Sequence, residues 1–181
     1  MKKLIMFAAC AMLAAYTQAA SVGWTLAGAN AFAGDKYMFF VEGQNGAASV
    51  ATITALLDAG TDVSSYAFAS GTVANNGVAS ALATAAGAPT LDAGTYTSFF
   101  VVFDSATLTA GETKYAVVSG AANLTKEIAA TSATVSFAAG NQATVLNNSA
   151  NWATYGAIPE PTSGLLMLVG LGALALRRRR A

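Results

Sequence analysis

The sequence predicts a mainly β protein, an antiparallel β-sandwich with one or two short helices, preceded by a signal peptide and followed by a transmembrane helix. Three observations carry that prediction. Lys36 to Gly43 (KYMFFVEG) and Thr95 to Asp104 (TYTSFFVVFD) are dense runs of aromatic and β-branched residues, the composition of buried strands. Gly, Asn and Asp recur between such runs at the spacing of short strands joined by turns. Finally, each end of the chain carries an apolar run next to basic residues, whereas the interior has few charges.

From the N-terminus, residues 1–20 have the three regions of a secretory signal peptide. Lys2 and Lys3 precede an apolar run from Leu4 to Ala15, and Thr17-Gln18-Ala19 is a small-residue cleavage site before Ala20. Phe7-Ala8-Ala9-Cys10 imitates a lipobox only loosely, because the apolar run continues beyond the cysteine with no hydrophilic tether. Cys10 is the sole cysteine, so a chain cut after residue 19 or 20 has no disulfide and must be held by packing alone.

Residues 21–157 are long enough for one hydrophobic core. In Lys36 to Gly43, Tyr37, Phe39 and Val41 alternate with Met38, Phe40 and Glu42, so a strand here is covered on both faces. The unbroken block Phe99 to Phe103 belongs in the middle of a sandwich, with Lys114 to Ser119 as its antiparallel partner across the Gly111-Glu112 turn. Ala133 to Ala138 and Ala143 to Leu146 read as a hairpin around Gly140-Asn141, and Gly71 to Ala79 as a smaller one around Asn76-Gly77. A helix is predicted over Ala47 to Ala59, where Val50, Ile53 and Leu57 share a face, with Asn45 as cap and Gly60 as stop. Val50, Thr52, Thr54 and Leu56 also fit a strand. A second short helix is expected within Asp62 to Ala69. Leu57-Asp58-Ala59-Gly60-Thr61 recurs as Leu91-Asp92-Ala93-Gly94-Thr95, which reads as a shared turn solution because the flanks do not align.

Chemistry is most legible by exclusion. The chain has no histidine, which removes imidazole general-base catalysis, Ser-His-Asp and Cys-His arrangements and the usual zinc sites. Neither a nucleophile elbow nor a phosphate-binding glycine loop is present. The 21–157 segment holds three lysines against eight acids, a net charge of −5, which disfavours nucleic acid as a partner. A carboxylate pair of the glycosidase kind is allowed by the acid count, but no acid sits in a distinctive motif. Asp58 and Asp62 lack the alternating acids of a calcium loop, so no metal or cofactor is expected. Trp24 and Trp152, near the two ends of the domain, are candidate glycan contacts, because an indole face matches the apolar face of a sugar ring; packing within terminal strands is the commoner use of such residues.

The C-terminal segment, residues 158–181, has three parts in order. Pro159, Glu160 and Pro161 form a stiff spacer, since neither proline continues a helix. Leu165, Leu166, Met167, Leu168, Val169, Leu171, Leu174 and Leu176, with intervening small residues, form an apolar run. A helix over residues 162–176 covers about 22 Å of a bilayer core of roughly 30 Å. Arg177, Arg178, Arg179 and Arg180 then snorkel to anionic headgroups and hold the end of the chain in the cytoplasm. This order resembles the PEP-CTERM sorting signal of Gram-negative bacteria. The resemblance covers about the last two dozen residues and implies an exosortase-type membrane enzyme as processing partner, with a cut near the motif.

The expected protein is therefore exported across the inner membrane, transiently anchored, and delivered to the cell surface or extracellular polysaccharide as a non-enzymatic structural component. The alternative is a small carbohydrate-binding module using Trp24, Trp152 or exposed tyrosines. A carboxylate-based glycosidase ranks third.

Overall fold

In the computed structural model, residues 18–47 and 49–157 are described. They form two sheets and few helices. The longest strand, β6 (Gly94–Phe103), lies at the centre of a six-stranded sheet with β2 (Lys36–Val41), β3 (Ala69–Thr72), β7 (Lys114–Val118), β8 (Thr125–Ile128) and β10 (Trp152–Thr154). A second sheet is built on β1 (Ala20–Ala27), with β4 (Ala79–Ala81), β5 (Thr90–Leu91) and β9 (Thr134–Asn141). Helices α1 (Val50–Asp58) and α2 (Ala143–Leu146), with 3-10 turns at Asn30–Phe32, Ala122–Leu124 and Ser149–Asn151, complete the regular elements.

The run FFVVF dictates this layering. Successive side chains of a strand point to opposite faces, so a strand that is apolar at every position must be covered twice. Ser98 and Phe99 to Phe103 are all fully buried. On one face, Phe100 and Val102 join Phe39, Val41, Ala116 and Val118 against Val22, Trp24, Leu26 and Phe137 of the second sheet. On the other, Phe99, Val101 and Phe103 join Met38, Phe40 and Tyr115 beneath Ile53 and Leu57 of α1 and Val63 beyond it. β2 runs antiparallel to β6 with Phe39 opposite Phe100 and Phe40 opposite Phe99. The Phe40 and Phe99 rings stack at 5.0 Å on the helix side, and Phe39 meets Phe100 at 4.9 Å on the sheet side. β7 pairs with β6 as its sequence predicts. The polar residue of the buried block, Ser98, donates its hydroxyl to the Leu124 carbonyl at 2.9 Å.

Helix α1 begins at Val50 and is capped by Ser49, whose Oγ accepts from the Thr52 amide at 3.2 Å. Asn45 is not the cap; it sits at φ 51° in the preceding turn and donates Nδ2 to the Ala67 carbonyl. The helical spacing of Ile53 and Leu57 prevails over the alternating pattern because it buries both side chains in the second core layer. Gly60, at φ 71°, follows the helix as expected. Tyr115 ties α1 to the sheet by donating its hydroxyl to Asp58 Oδ1 at 2.6 Å. Burial, and then that carboxylate, push the Tyr115 phenol well above its usual pKa.

Three local expectations fail. Asp62 to Ala69 forms no helix: Asp62 Oδ1 accepts from the Ser64 amide at 2.8 Å and closes a turn, and Ala69 opens β3. Asn76-Gly77 does turn the chain, but β3 pairs with β2 while β4 pairs with β1, so the flanking strands enter different sheets. At Gly140-Asn141 there is no hairpin. Asn141 Oδ1 accepts from the Ala143 amide, which turns the chain into α2, and β9 runs parallel to β1 from Ser21↔Thr134 to Ala27↔Asn141. The repeated pentapeptide ends α1 at one copy and leads into β6 at the other, so it serves two different structures.

Ala20 is fully buried as the first residue of β1. No helix among the described residues is long and apolar enough to cross a membrane. The predicted signal peptide up to residue 17 and the predicted transmembrane helix over residues 162–176 lie outside the described residues.

Phe100→Asp is expected to unfold the domain. A buried unpaired carboxylate costs several kcal/mol against a total stability of roughly 5 to 15 kcal/mol, and circular dichroism should show loss of the β signal. Tyr115→Phe should lower stability by about 1 to 2 kcal/mol at neutral pH. Because the folded phenol titrates above its unfolded value, that contribution is complete below pH ~10 and is lost as pH rises beyond it. Denaturation midpoints of Tyr115→Phe should therefore decline less steeply than wild type in alkali.

Candidate functional site

The two tryptophans have separate fates. Trp24 lies on β1 between Val22 and Leu26, in register with the inward face of its sheet, and is only 6% exposed. Its ring stacks on Phe39 at 5.2 Å and its Nε1 donates to the Tyr37 hydroxyl at 3.2 Å. Trp24 is corrected to a core residue, and the little surface it keeps opens onto a pocket of about 200 Å³ beneath Ala81 to Pro89. Among the described residues no tyrosine is fully exposed: Tyr37, Tyr115 and Tyr155 are buried, and Tyr66 and Tyr96 are half-buried.

Trp152 opens β10 and is half-buried, with its other surface at a groove of about 350 Å³. Its indole nitrogen donates to the Leu146 carbonyl at 2.7 Å, which fixes the ring against α2. Phe32, from the 3-10 turn Asn30–Phe32, meets it at 4.6 Å with a 32° tilt, and the pair makes an aromatic wall. Asp104, Lys114, Asn147 and Ser149 supply the polar lining. The backbone behind these groups is ordered by short-range bonds: Asn148 Oδ1 accepts from the Ala150 amide and Asn151 Nδ2 donates to the Val145 carbonyl. The groove thus offers a preorganised aromatic surface with an amide, a hydroxyl, an ammonium and a carboxylate around it. Those are the groups that hold a polyhydroxylated ligand.

Asp104 spends one oxygen on the Lys114 amide at 2.6 Å. Asp35 is pushed above the usual carboxylate range, first by burial and then by the Asp104 charge, yet it does not line the groove. Asp58 serves Tyr115. Asp62 is held below the usual range by its bonds to Ser64 and is bound into its own turn. Among the described residues no group of three or more acids is placed to hold a metal ion.

A second organised feature is the point where the chain leaves the fold. Beyond β10, the Tyr155 amide donates to the Thr113 carbonyl, the Gly111 amide donates to the Tyr155 carbonyl, and the Gly156 amide donates to the Leu57 carbonyl, each at 2.8 Å. The Tyr155 hydroxyl reaches the Gly60 carbonyl, also at 2.8 Å. Gly156 is buried at φ 59°; a Cβ there would stand 2.7 Å from Ala110 Cβ and 3.0 Å from Gly60 Cα. Only glycine fits where the exit strand, the end of α1 and the 107–113 loop converge. Ala157, the next residue, is exposed.

The sequence singled out Trp152 but missed Phe32, which lies in a turn without periodicity. It also missed the Gly60, Ala110 and Gly156 junction, whose members are separated by tens of residues. Pro159 to Pro161, the apolar residues from Leu165 to Leu176, and Arg177 to Arg180 lie outside the described residues. Residues 157–180 match the family model of the PEP-CTERM protein-sorting motif. That motif implies export, membrane-associated sorting and processing by exosortase. Neither a curated protein nor a solved structure matches the chain.

Proposed function

We propose that the chain is the precursor of a non-enzymatic structural protein, delivered to the cell surface or to extracellular polysaccharide by an exosortase-type enzyme. The match of residues 157–180 to the sorting motif carries this proposal, and it begins directly after the pinned Gly156. In this scheme Pro159, Glu160 and Pro161 are recognised by the processing enzyme. The apolar residues Leu165 to Leu176 hold the precursor in the membrane, and Arg177 to Arg180 keep its end on the cytoplasmic side. A structural role is supported by the outward residues of β1 and β9, Ser21, Gly23, Thr25, Thr134, Ser136 and Ala138, which are small and present no aromatic platform.

A plain membrane anchor needs apolar length and flanking charge but no acid outside the bilayer. In a host carrying exosortase, Glu160→Ala should leave insertion intact while uncut precursor accumulates in the membrane, as read by the mass and location of a tagged domain. If Glu160→Ala and wild type give the same uncut, membrane-held species, the sorting function fails and the plain anchor stands.

The groove at Trp152 supports a second function, weak binding of a polysaccharide through the Phe32 and Trp152 wall. Titration with neutral oligosaccharides followed by calorimetry should show saturable binding. Trp152→Ala should weaken it at least about five-fold, in line with loss of a tryptophan contact worth roughly 1 kcal/mol or more. Absence of binding by the wild-type domain would remove this function and leave the purely structural one.

A further inference from the structure

Resting on the sorting function above, we propose that the face around Gly156, formed by residues 59–62 and 107–112, is a contact surface for the enzyme that processes the C-terminal signal. The cut is then made against the folded domain, not on a free tail. Covalent reach carries the proposal. The chain is fixed at Tyr155 and Gly156 by four hydrogen bonds to backbone carbonyls or amides of Leu57, Gly60 and the 107–113 loop. Pro159 follows Gly156 by three residues, and an extended chain advances at most about 3.3 to 3.6 Å per residue. The motif therefore starts no more than roughly 11 Å from a rigid point on the domain surface. An enzyme that encloses Pro159, Glu160 and Pro161 is a folded protein many times that size, so its rim must meet the surface around the exit.

That surface is well defined. Ala59, Thr61, Asp62, Thr109, Ala110, Gly111 and Glu112 are all exposed, and their backbone is braced from behind. The Thr61 amide donates to the Leu56 carbonyl at 2.8 Å, and the Thr113 amide to the Thr109 carbonyl at 2.9 Å. Thr113, nearly fully buried, accepts from the Thr109 amide at 2.8 Å and donates to the Thr107 carbonyl at 3.1 Å. The loops carry Asp62 and Glu112 and no basic side chain. A bilayer of anionic headgroups is repelled by such a face, which favours a protein rim over the membrane surface as its counterpart.

The test uses the full-length chain in a host carrying exosortase, with pulse-chase measurement of precursor conversion. Thr61→Arg combined with Glu112→Arg changes two exposed side chains that make no hydrogen bond within the described residues, and protease resistance of the domain checks that it still folds. Conversion should slow about five-fold, the scale of a disturbed rim contact. Inserting twelve Gly and Ser residues between Ala157 and Ile158 frees the motif from the surface and should abolish that slowing, at about 5 to 6 Å × √n of added reach. Wild-type conversion of the double variant at native tail length overturns the proposal. So does an equal slowing with and without the insertion, because the effect would then not depend on proximity. Glu160→Ala separates the two levels: if it is converted normally, the sorting function itself fails, whatever the loop variants do.

Discussion

The double-sided burial of β6 is the constraint on which the rest of the molecule depends. Phe99 to Phe103 expose no apolar-free face, so neither a single sheet nor a two-layer sandwich with one solvated side can hold them. One face takes the β1 and β9 sheet and the other takes α1, and the fold becomes three layers with the six-stranded sheet in the middle. A chain without disulfides must also satisfy the polar atoms that this burial encloses. It does so locally: Trp24 finds Tyr37, Ser98 finds Leu124, and among the described residues no buried side-chain nitrogen or oxygen lacks a partner.

What the sequence makes legible follows from the range of the forces involved. β2, β6, β7 and α1 are each specified by side-chain periodicity within about ten residues, and all four appear where that pattern places them. Pairing between distant segments leaves no such mark. β1 and β9 lie more than a hundred residues apart, and their parallel register depends on Val22, Trp24, Val135 and Phe137 meeting over the same core. Seen alone, Gly140-Asn141 is a hairpin turn; in the fold, Asn141 has a side-chain acceptor for Ala143 and the chain turns helical instead. The tryptophans show the same limit at the candidate site. Trp24 sits on a strand flanked on both edges and turns inward, whereas Trp152 starts a short strand paired on β7 alone and keeps one surface at the groove. Their sequence neighbourhoods do not separate them.

Both organised surface features belong to the same short strand. Trp152 at the start of β10 walls the groove, and Tyr155 and Gly156 just after its end fix the exit. A three-residue edge strand has little pairing of its own and would fray readily. It is kept in place from both sides, by the Trp152 bond to Leu146 and by the Tyr155 and Gly156 bonds to Thr113, Gly111, Gly60 and Leu57. The geometry of the groove is thereby coupled to the integrity of the exit.

The placement of those bonds also defines where the sorting motif lies relative to the ordered backbone. Among the described residues, the contacts that fix β10 come from residues up to Gly156, and the matched sorting segment begins at Ala157. The glycine at position 156 gives this separation its sharpness. It lets the exit backbone approach Gly60 and Ala110 closely enough for the Leu57 carbonyl to accept its amide, and a Cβ would force these segments apart. Gly156, the last of the residues so fixed, directly precedes the matched motif at Ala157.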